Sequence, residues 1–428
     1  MSPKPQPSKR AARQTATPAR ASKLEWLPRG EWILAGVLAL GALYLHLTFF
    51  THAGALWRDE VNSVSFASMP SLGQAYASLR YDSFPLLSTV LLRGWIHAAG
   101  GGDPSLRLYG LLVGILFLAA LIFAGRALGG GWPLLSLALV GWNPWLVRTV
   151  DSIRPYGWGI VFIVATLGCA WSYVRTAKPL WLVLTALGAM AAVQCMYQNA
   201  FLLAAILIAG AFTAWRASKP RVALGLLGAG AVAAASLVPY LPAIRAAGAW
   251  GALIRAHIPL SRIVTVLSDT IGEGGTPLLL IWIALAILVV VMGARALRQS
   301  QPAPALFGAT GLLLAAGAYL AAIIATHVQT EPWYYVPLIA VAGPLLDGAL
   351  GGKRVPEGWK LGRLVVALVA VAALALPAIA LAKTRWTSVD VAAARVGAKA
   401  APEDLIVLNP FWIGMPFQRY YHGPARWV

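Results

Sequence analysis

The chain has 428 residues, of which 59% are hydrophobic and only 11% are charged. Soluble domains carry about 25% charged residues, so this composition excludes an ordinary soluble enzyme. The 34 basic and 15 acidic residues give a net charge of +19. The basic residues cluster beside apolar segments, which indicates topology and contact with anionic lipids rather than nucleic-acid binding.

Long apolar runs recur along most of the chain, and they show no alternation of polar and apolar residues. Runs of about 20 residues are typical of membrane-spanning helices and not of a transmembrane β-barrel. The predicted fold class is therefore an all-α polytopic membrane protein. Eleven spans are predicted: 31–50, 106–125, 131–149, 157–174, 180–196, 199–215, 222–243, 276–294, 304–326, 334–350 and 361–382.

The distribution of basic residues predicts which side each loop occupies. With a cytoplasmic N-terminus, every short loop on the inner side carries lysine or arginine, in agreement with the positive-inside rule. Residues 1–30 are basic and rich in proline and serine, so they are predicted to form a disordered cytoplasmic tail. The apolar segment 84–100 contains Arg93 and His97, and it is predicted to lie on the outer membrane face as an amphipathic helix.

The outer side then receives a long first loop, 51–105, and a short C-terminal segment, 383–428. Within that segment, "VDVAAARVGAKAA" predicts a helix, "DLIVLNP" a short strand and "FWIGMPFQRYYHG" a loop or helix. Acidic residues contribute little to topology, so their concentration on this side points to function. Eleven of the 15 acids lie there: Asp59, Glu60, Asp82, Asp103, Asp151, Asp269, Glu273, Glu331, Asp390, Glu403 and Asp404.

The two cysteines, Cys169 and Cys195, lie inside apolar segments and in no CxxC or Cys/His cluster. No disulfide framework and no zinc site is therefore predicted. Asp59 and Glu60 are adjacent and suit a hard cation, but two carboxylates are too few alone to hold one. The sequence leaves a divalent cation open.

Several motifs together indicate a family. They are "WRDEVNSVSFA" after the first span, "DSFPLLSTVLLRGWIHAAGG" and "DPSLRLYGLLVGIL" before the second, "RPYGWGIVF" at the fourth and "DLIVLNP" after the last. With these motifs the chain resembles the polyprenol-phosphate-sugar-dependent glycosyltransferases of the GT-C fold, which include protein O-mannosyltransferases and aminoarabinose transferases. It departs at Ser83-Phe84, at Gln198-Asn199 and at Trp333-Tyr334. There many relatives have a histidine before the proline, a Thr-His pair and an Arg-Tyr pair.

The resemblance implies a transmembrane glycosyltransferase domain over 31–382, with its catalytic loop at 51–105. Its activity would be transfer of a hexose or pentose from a polyprenyl-phosphate donor to a hydroxyl group, with inversion, in cell-envelope glycosylation. The acceptor would be a glycan, a lipid or a protein at the outer face of the cytoplasmic membrane. The implied partners are this donor, this acceptor and membrane lipids, without nucleic acid.

The chemistry needs a base for the acceptor hydroxyl and cationic groups for the departing phosphate. Asp59 is the predicted base, from the resemblance and from its position after the first span. Its alternative is a solvated acid that pairs with Arg58. Glu60 is the second predicted catalytic residue, and it would position the acceptor or support Asp59.

Further polar residues near the outer ends of the spans are candidates for substrate binding. Arg154 has a fork of donors for a phosphate, or it extends to a lipid headgroup. Asp151 contacts the substrate or pairs with Arg154, and Gln198 and Asn199 contact the sugar or link helices. The full predicted set is Arg58, Asp151, Arg154, Tyr156, Gln198, Asn199 and Glu331.

A transporter or flippase of lipid-linked sugars is the alternative function. It would require charged residues near the middle of several spans. Polar residues crowd the outer ends instead, which favours an enzyme at the membrane surface over a transporter. A scaffold protein would give no reason for Asp59, Glu60, Asp151 and Arg154 to share one side.

The predicted topology can be tested with reporter fusions. A reporter inserted between Arg216 and Arg221 should report the cytoplasmic side, and one fused at Lys399 the outer side, because this arrangement keeps the basic loops inside. Both reporters on one side would rule out the predicted number of spans.

Overall fold

A computed structural model describes residues 27–82, 84–246, 259–272, 275–298, 301–326, 330–351 and 357–428. Most of the predicted basic tail lies outside the described residues. So do Ser83, Glu273, residues 247–258 of the middle outer loop and residues 327–329 before Glu331.

The described residues are mostly helical, which confirms the predicted fold class. The helices are α1 (Leu27–His52), α2 (Arg58–Ala67), α3 (Leu72–Ala77), α4 (Leu87–Ala99), α5 (Asp103–Gly129), α6 (Pro144–Val150), α7 (Tyr156–Thr176), α8 (Pro179–Cys195), α9 (Asn199–Arg216), α10 (Pro220–Ala235), α11 (Leu260–Gly272), α12 (Gly275–Ala296), α13 (Pro304–Thr326), α14 (Val336–Leu350), α15 (Glu357–Lys383), α16 (Val389–Gly397) and α17 (Gly414–Tyr420). Two short strands, β1 (Leu405–Ile406) and β2 (Arg426–Trp427), pair in parallel.

Eight helices in the described ranges are long and apolar enough to cross a membrane. They are α1, α5, α7, α9, α10 with its continuation to Ala246, α12, α13 and α15. Two shorter apolar helices, α8 and α14, correspond to two more of the predicted spans. The chain is therefore a multi-pass membrane protein, as predicted.

The predicted span 131–149 is wrong as one continuous helix. A π-helical turn, Ser136–Gly141, ends at Trp142, and α6 starts again at Pro144. Proline has no backbone N–H and disfavours a helical conformation in the residue before it. Asn143 is accordingly extended, and its side chain caps α6 by accepting from the Leu146 N–H at 2.9 Å. Because of this break, α6 is separate and is followed by the turn that carries Asp151 and Arg154.

Two helices form the centre of the bundle. Helix α7 packs against α5, α8 and α9, and every residue of α14 is buried. The peripheral helices α1, α12 and α15 instead expose large apolar side chains, as Leu40, Ile287 and Leu376 do. Exposed apolar side chains on long apolar helices are what a lipid environment requires.

Helix α4 forms within the segment that was predicted to be amphipathic, and it packs on α2. The Arg93 guanidinium donates to the carbonyl oxygens of Ala67, Met69 and Pro70. It therefore satisfies carbonyls at and just beyond the C-terminal end of α2. This contact explains the charge in an otherwise apolar run.

The C-terminal segment forms a small unit from α16, α17 and the two strands, as its motifs predicted. Its core contains Ala393, Phe417 and Tyr421, and Ala55 of the first loop completes the same cluster. A core this small cannot support an independent domain. The segment is therefore built onto the loop that precedes α2.

A buried ionic cluster joins α14 and α15 to the start of the broken segment. The Asp347 carboxylate accepts from the Leu135 N–H at 3.2 Å, the Ser136 N–H at 2.7 Å and the Ser136 hydroxyl at 2.6 Å. Arg363 lies 3.1 Å from the same carboxylate, and the two side chains are 4% and 1% exposed. This cluster holds the Leu135–Ser136 backbone, which would otherwise lack partners near the π-helical turn.

Replacing Asp347 with Asn should destabilise the protein. The substitution removes the nearer carboxylate of buried Arg363 and leaves only Glu31, at 3.7 Å, and breaking such a pair costs up to about 3–5 kcal/mol. The melting temperature in detergent should fall, while Glu403→Gln, at an exposed acid, should leave it unchanged. Equal melting temperatures for the two variants would contradict the structural role of this cluster.

Candidate active site

The first turn of α2 carries the adjacent acids Asp59 and Glu60. A carboxylate is favoured there because the N-terminus of a helix has free N–H groups and a positive partial charge. The Glu60 carboxylate also accepts from the backbone N–H of Trp57 at 3.1 Å, which caps the helix start. The acids therefore lie at a fixed helix terminus and not in a free loop.

Glu60 is completely buried and is bound by Arg107 of α5. The Arg107 guanidinium makes two contacts with it, of 2.7 Å and 3.0 Å, and the Ile153 N–H donates to it at 3.1 Å. With the Trp57 contact, four hydrogen bonds occupy its carboxylate. These contacts fit the supporting role predicted for Glu60 and give no support to direct contact with substrate.

Arg107 also determines the path of the backbone before α2. It is 6% exposed, and it donates to the Gly54 carbonyl at 3.2 Å and to the Ala55 carbonyl at 2.8 Å. Sequence reasoning missed this residue, although it lies within the "DPSLRLYG" motif. The signal that was available is an arginine in the first turns of a long apolar helix, where a charge needs a partner.

Asp59 is the accessible member of the pair. Its carboxylate is 26% exposed and accepts from the Arg58 Nε–H at 2.7 Å, while Arg58 itself is 40% exposed. The carboxylate therefore keeps lone pairs that can face a ligand. The predicted alternative, pairing with Arg58, is present in the structure and leaves Asp59 available.

Arg154 approaches Asp59 from the turn between α6 and α7. Its Nη1 donates to the Asp59 carbonyl at 3.0 Å and to the Ser63 hydroxyl at 3.1 Å. The guanidinium lies over the ring of Phe84 at 4.8 Å, and its Nη2 is 3.9 Å from Asp82. Arg154 is only 8% exposed. It is thus fixed beside α2, and its buried Nε–H has no acceptor among the described residues.

Asp151 pairs with His46 of α1, at 2.7 Å, and not with Arg154. Both side chains are buried, and α5 packs closely on them. A Cβ at Gly110 would lie 2.0 Å from the Asp151 carbonyl oxygen, and one at Gly114 would lie 2.2 Å from its carboxylate, so only glycine permits this approach. The contacts of Asp151 fasten the turn that carries Arg154, and they leave no direct route to a substrate.

Of the remaining predicted residues, Tyr156 and Gln198 have aromatic neighbours. Tyr156 lies near Arg154 and Asp59, and its ring contacts Phe84 edge-on at 5.3 Å. Gln198 lies beside the hydroxyl of Tyr319, which donates to the Tyr334 carbonyl at 2.6 Å.

Asn199 is fully buried and donates to the carbonyls of Gly159 and Ala192, so it links helices. Glu331 is 37% exposed and lies 3.5 Å from Arg262. Of the predicted substrate-binding set, the structure therefore gathers Arg58, Arg154 and Tyr156 around Asp59. Gln198 and Glu331 lie at the edge of this group, and Tyr334 lies among Asp59, Arg154 and Glu331.

The C-terminal segment closes over the backbone before α2. Tyr420 accepts from the Leu56 N–H at 2.7 Å and donates to Asp103, which also binds Arg419 at 2.7 Å. Burial, together with Asp103, raises the pKa of the Tyr420 hydroxyl, so the proton stays available for donation. The backbone N–H of Trp386 donates to the Ala53 carbonyl at 3.2 Å. The approach to Asp59 is thus held by α5 and by the last residues of the chain.

A cation site is not formed by these acids. Within the described ranges, no three histidine, cysteine, aspartate or glutamate side chains come together as metal ligands do. The carboxylate of Glu60 is occupied by N–H donors, so Asp59 and Glu60 do not converge on one ion. The described acids around Asp59 therefore do not fit a divalent cation.

Comparison with known proteins rests on structure. No protein-family model matches the chain, and no curated protein matches it in sequence. The aminoarabinose transferase ArnT from Cupriavidus metallidurans, bound to undecaprenyl phosphate, superposes with a TM-score of 0.55 at 14% identity, over 93% of this chain and 85% of that one. The Archaeoglobus fulgidus oligosaccharyltransferase AglB, in complex with an inhibitory peptide and a dolichol-phosphate, gives 0.53 at 12% identity, over 92% of this chain and 64% of AglB.

The Glu60–Arg107 pair predicts a difference in stability between the two adjacent acids. Glu60→Gln and Arg107→Gln should each lower the free energy of unfolding by about 3–5 kcal/mol, because each leaves a buried partner unpaired. Asp59→Asn should change it by no more than about 0.5 kcal/mol, because Asp59 is partly exposed. Thermal unfolding in detergent micelles measures all three. A loss for Asp59→Asn as large as that for Glu60→Gln would contradict this assignment.

The similarities to ArnT and AglB lie below 25% sequence identity, and they extend over nearly the whole of this chain. They show a common fold and leave the reaction to be argued from the site. The chain has the GT-C fold, which the sequence motifs predicted.

Proposed function

We propose that the chain is an integral membrane glycosyltransferase. It transfers a sugar from a polyprenyl-phosphate donor to a hydroxyl group of an envelope glycan, lipid or protein, at the outer face of the cytoplasmic membrane. The observation that carries this proposal is the geometry at α2: a partly exposed carboxylate, Asp59, is held next to a fixed arginine, Arg154, on the GT-C fold. Fold alone does not establish function, so the proposal depends on this site.

Asp59 acts as the general base. The acceptor hydroxyl gives its proton to the carboxylate while its oxygen forms a bond to the anomeric carbon. The bond between the anomeric carbon and the phosphate oxygen breaks in the same step, which inverts the anomeric centre. Arg58 orients the carboxylate through its 2.7 Å hydrogen bond. Glu60 and Arg107 keep the helix start in place and take no part in proton transfer.

Arg154 meets the phosphate of the donor. Its Nη1 is bound to α2, but its Nε has no acceptor and its Nη2 has no close hydrogen bond among the described residues. The Nε–H, together with the Nη2–H that makes only the 3.9 Å ion pair with Asp82, can bind two oxygens of one phosphate. Such a contact stabilises the lipid phosphate as it leaves with negative charge. ArnT and AglB, bound to undecaprenyl phosphate and to a dolichol-phosphate, support this donor class by analogy.

An apolar groove lies among the helices that follow the site in the chain. It has a volume of about 280 Å³ and lies between α8, α9 and α10. Near its α8 end, at Val193, lies Met196, which packs in one cluster with Phe84 and Tyr156. An isoprenoid chain attached to a phosphate at Arg154 would find matching apolar surface here.

A transport function finds less support. Several buried charges of the bundle are paired with each other, as His46 is with Asp151 and Arg363 is with Asp347. These pairs link helices and do not line a passage. A transporter would need polar groups along a path through the membrane.

Replacing Asp59 with Asn tests the proposal. The amide keeps the size of the carboxylate but cannot take a proton, so the transfer rate should fall by about 10²–10⁴. The measurement is transfer of labelled sugar from polyprenyl-phosphate donors in reconstituted membranes, at equal protein levels.

Asp404→Asn, at an exposed acid of the C-terminal segment, is the matched control and should retain the parent rate. Transfer by Asp59→Asn at the parent rate would place the base elsewhere, and Glu331 would be the next residue to test.

A further inference from the structure

Arg148 of α6 is a buried cation without a hydrogen-bond or ion-pair partner among the described residues. Its side chain is only 8% exposed. Its Nε–H is enclosed and has no acceptor. An arginine in this state is unusual, because a buried charge without compensation is costly.

The nearby acid Glu60 does not compensate Arg148. The negative charge of Glu60 favours the charged form of Arg148, but the positive charge of Arg107 opposes this effect. The carboxylate of Glu60 is already bound by Arg107 and by two backbone N–H groups. Arg148 is therefore left with unused donors next to the candidate active site.

The partner that Arg148 does have is an aromatic ring. Its guanidinium carbon lies 4.4 Å from the ring centre of Trp386. Trp386 stacks on Trp57 with ring centres 4.8 Å apart and an angle of 8°, and Trp57 lies 5.9 Å from Trp333. We call these three rings the tryptophan wall. The indole Nε1–H of Trp57 is also enclosed without an acceptor, so this region has donors in excess.

Arg148 and Trp386 pack near Phe49 of α1, apart from the cluster of Phe84, Tyr156 and Met196, whereas Trp333 at the other end of the wall packs against that cluster. Arg154, Phe84 and Met196 lead toward α8 and the apolar groove. Helix α6 packs on α1 and α15, and Trp386 begins the C-terminal segment. Trp57 lies two residues before Asp59, so the wall reaches the base.

We infer that Arg148 and the tryptophan wall form the acceptor subsite, and that the acceptor carries an anionic group, a phosphate or a carboxylate. The anion binds the guanidinium of Arg148 and the indole Nε1–H of Trp57. A sugar ring packs on the faces of the indole rings. This inference rests on the proposed function, since it names the acceptor class for the same base. The donor phosphate is the competing occupant, and the experiment separates the two.

The experiment measures ligand binding to the full chain in detergent by its intrinsic tryptophan fluorescence. The probes are glucose 6-phosphate, glucose and farnesyl phosphate. Glucose 6-phosphate should bind the parent protein at least about tenfold more tightly than glucose, because a charge-assisted hydrogen bond is added. Equal affinities for glucose and glucose 6-phosphate would overturn the inference.

Variants then assign each probe to one arginine. Arg148→Gln should weaken glucose 6-phosphate binding at least about tenfold and leave farnesyl phosphate binding within about twofold, and Arg154→Gln should do the reverse. Arg395→Gln, at an exposed arginine of α16, is the control and should change neither. A loss of farnesyl phosphate binding in Arg148→Gln would show that Arg148 serves the donor and would overturn the inference.

A melting curve without ligand separates this role from a structural one. If Arg148 waits for a ligand, Arg148→Gln removes an uncompensated buried charge, and the melting temperature should stay equal or rise. A large fall, or failure to fold, would show that the chain itself needs this cation, and the inference would be wrong. Absence of farnesyl phosphate binding in the parent, with glucose 6-phosphate binding intact, would instead count against the donor in the proposed function.

Discussion

The two-contact ion pair between Arg107 and Glu60 is the interaction on which the rest of the candidate site depends. It joins the first turn of α2 to α5, and the same guanidinium holds the Gly54 and Ala55 carbonyls. The Ile153 N–H donates to the same carboxylate, and this hydrogen bond attaches the turn that carries Arg154. Such a pair adds little net stability over an apolar contact, but it permits one arrangement of its neighbours. Of the two adjacent acids, Glu60 thus fixes the start of α2, and this gives Asp59 a defined position.

The position of that second acid has a chemical logic. A base at a helix start lies near free N–H groups, and the ring of Trp57 precedes it by two residues. Arg154 and Arg148 have different contacts, since Arg154 is hydrogen-bonded to α2 and Arg148 lies over the ring of Trp386. A reaction that separates an anion from a sugar and hands the sugar to a second molecule needs two distinct approaches to one carboxylate. In the proposed mechanism, Arg154 serves the approach of the donor and Arg148 the approach of the acceptor.

The sequence predicted well those features that short segments determine by themselves. Apolar length identifies spans because the hydrocarbon thickness is fixed, and the motifs of the first loop located Asp59. The break at Asn143-Pro144 was missed, because proline occurs within membrane helices and the run stays apolar on both sides. The sequence also did not show which of the adjacent acids Asp59 and Glu60 is buried, because burial depends on the packing of α5 against α2. His46 and Asp151 are 105 residues apart, and their pairing depends on glycines of a third helix, α5.

The Tyr420–Leu56 contact joins residues 364 positions apart and has a consequence for the order of events in synthesis. A ribosome adds about 5–20 residues per second, so the first loop emerges tens of seconds before the residues that fasten it. For most of that interval the backbone before α2 has its support from α5, and Trp386 adds its contact with Ala53 only shortly before Tyr420 is made. A shortened product that lacks residues 414–428 would insert its helices and still present an unfinished loop. Asp59, the proposed base, therefore has the full support of its loop only after Tyr420 has been made.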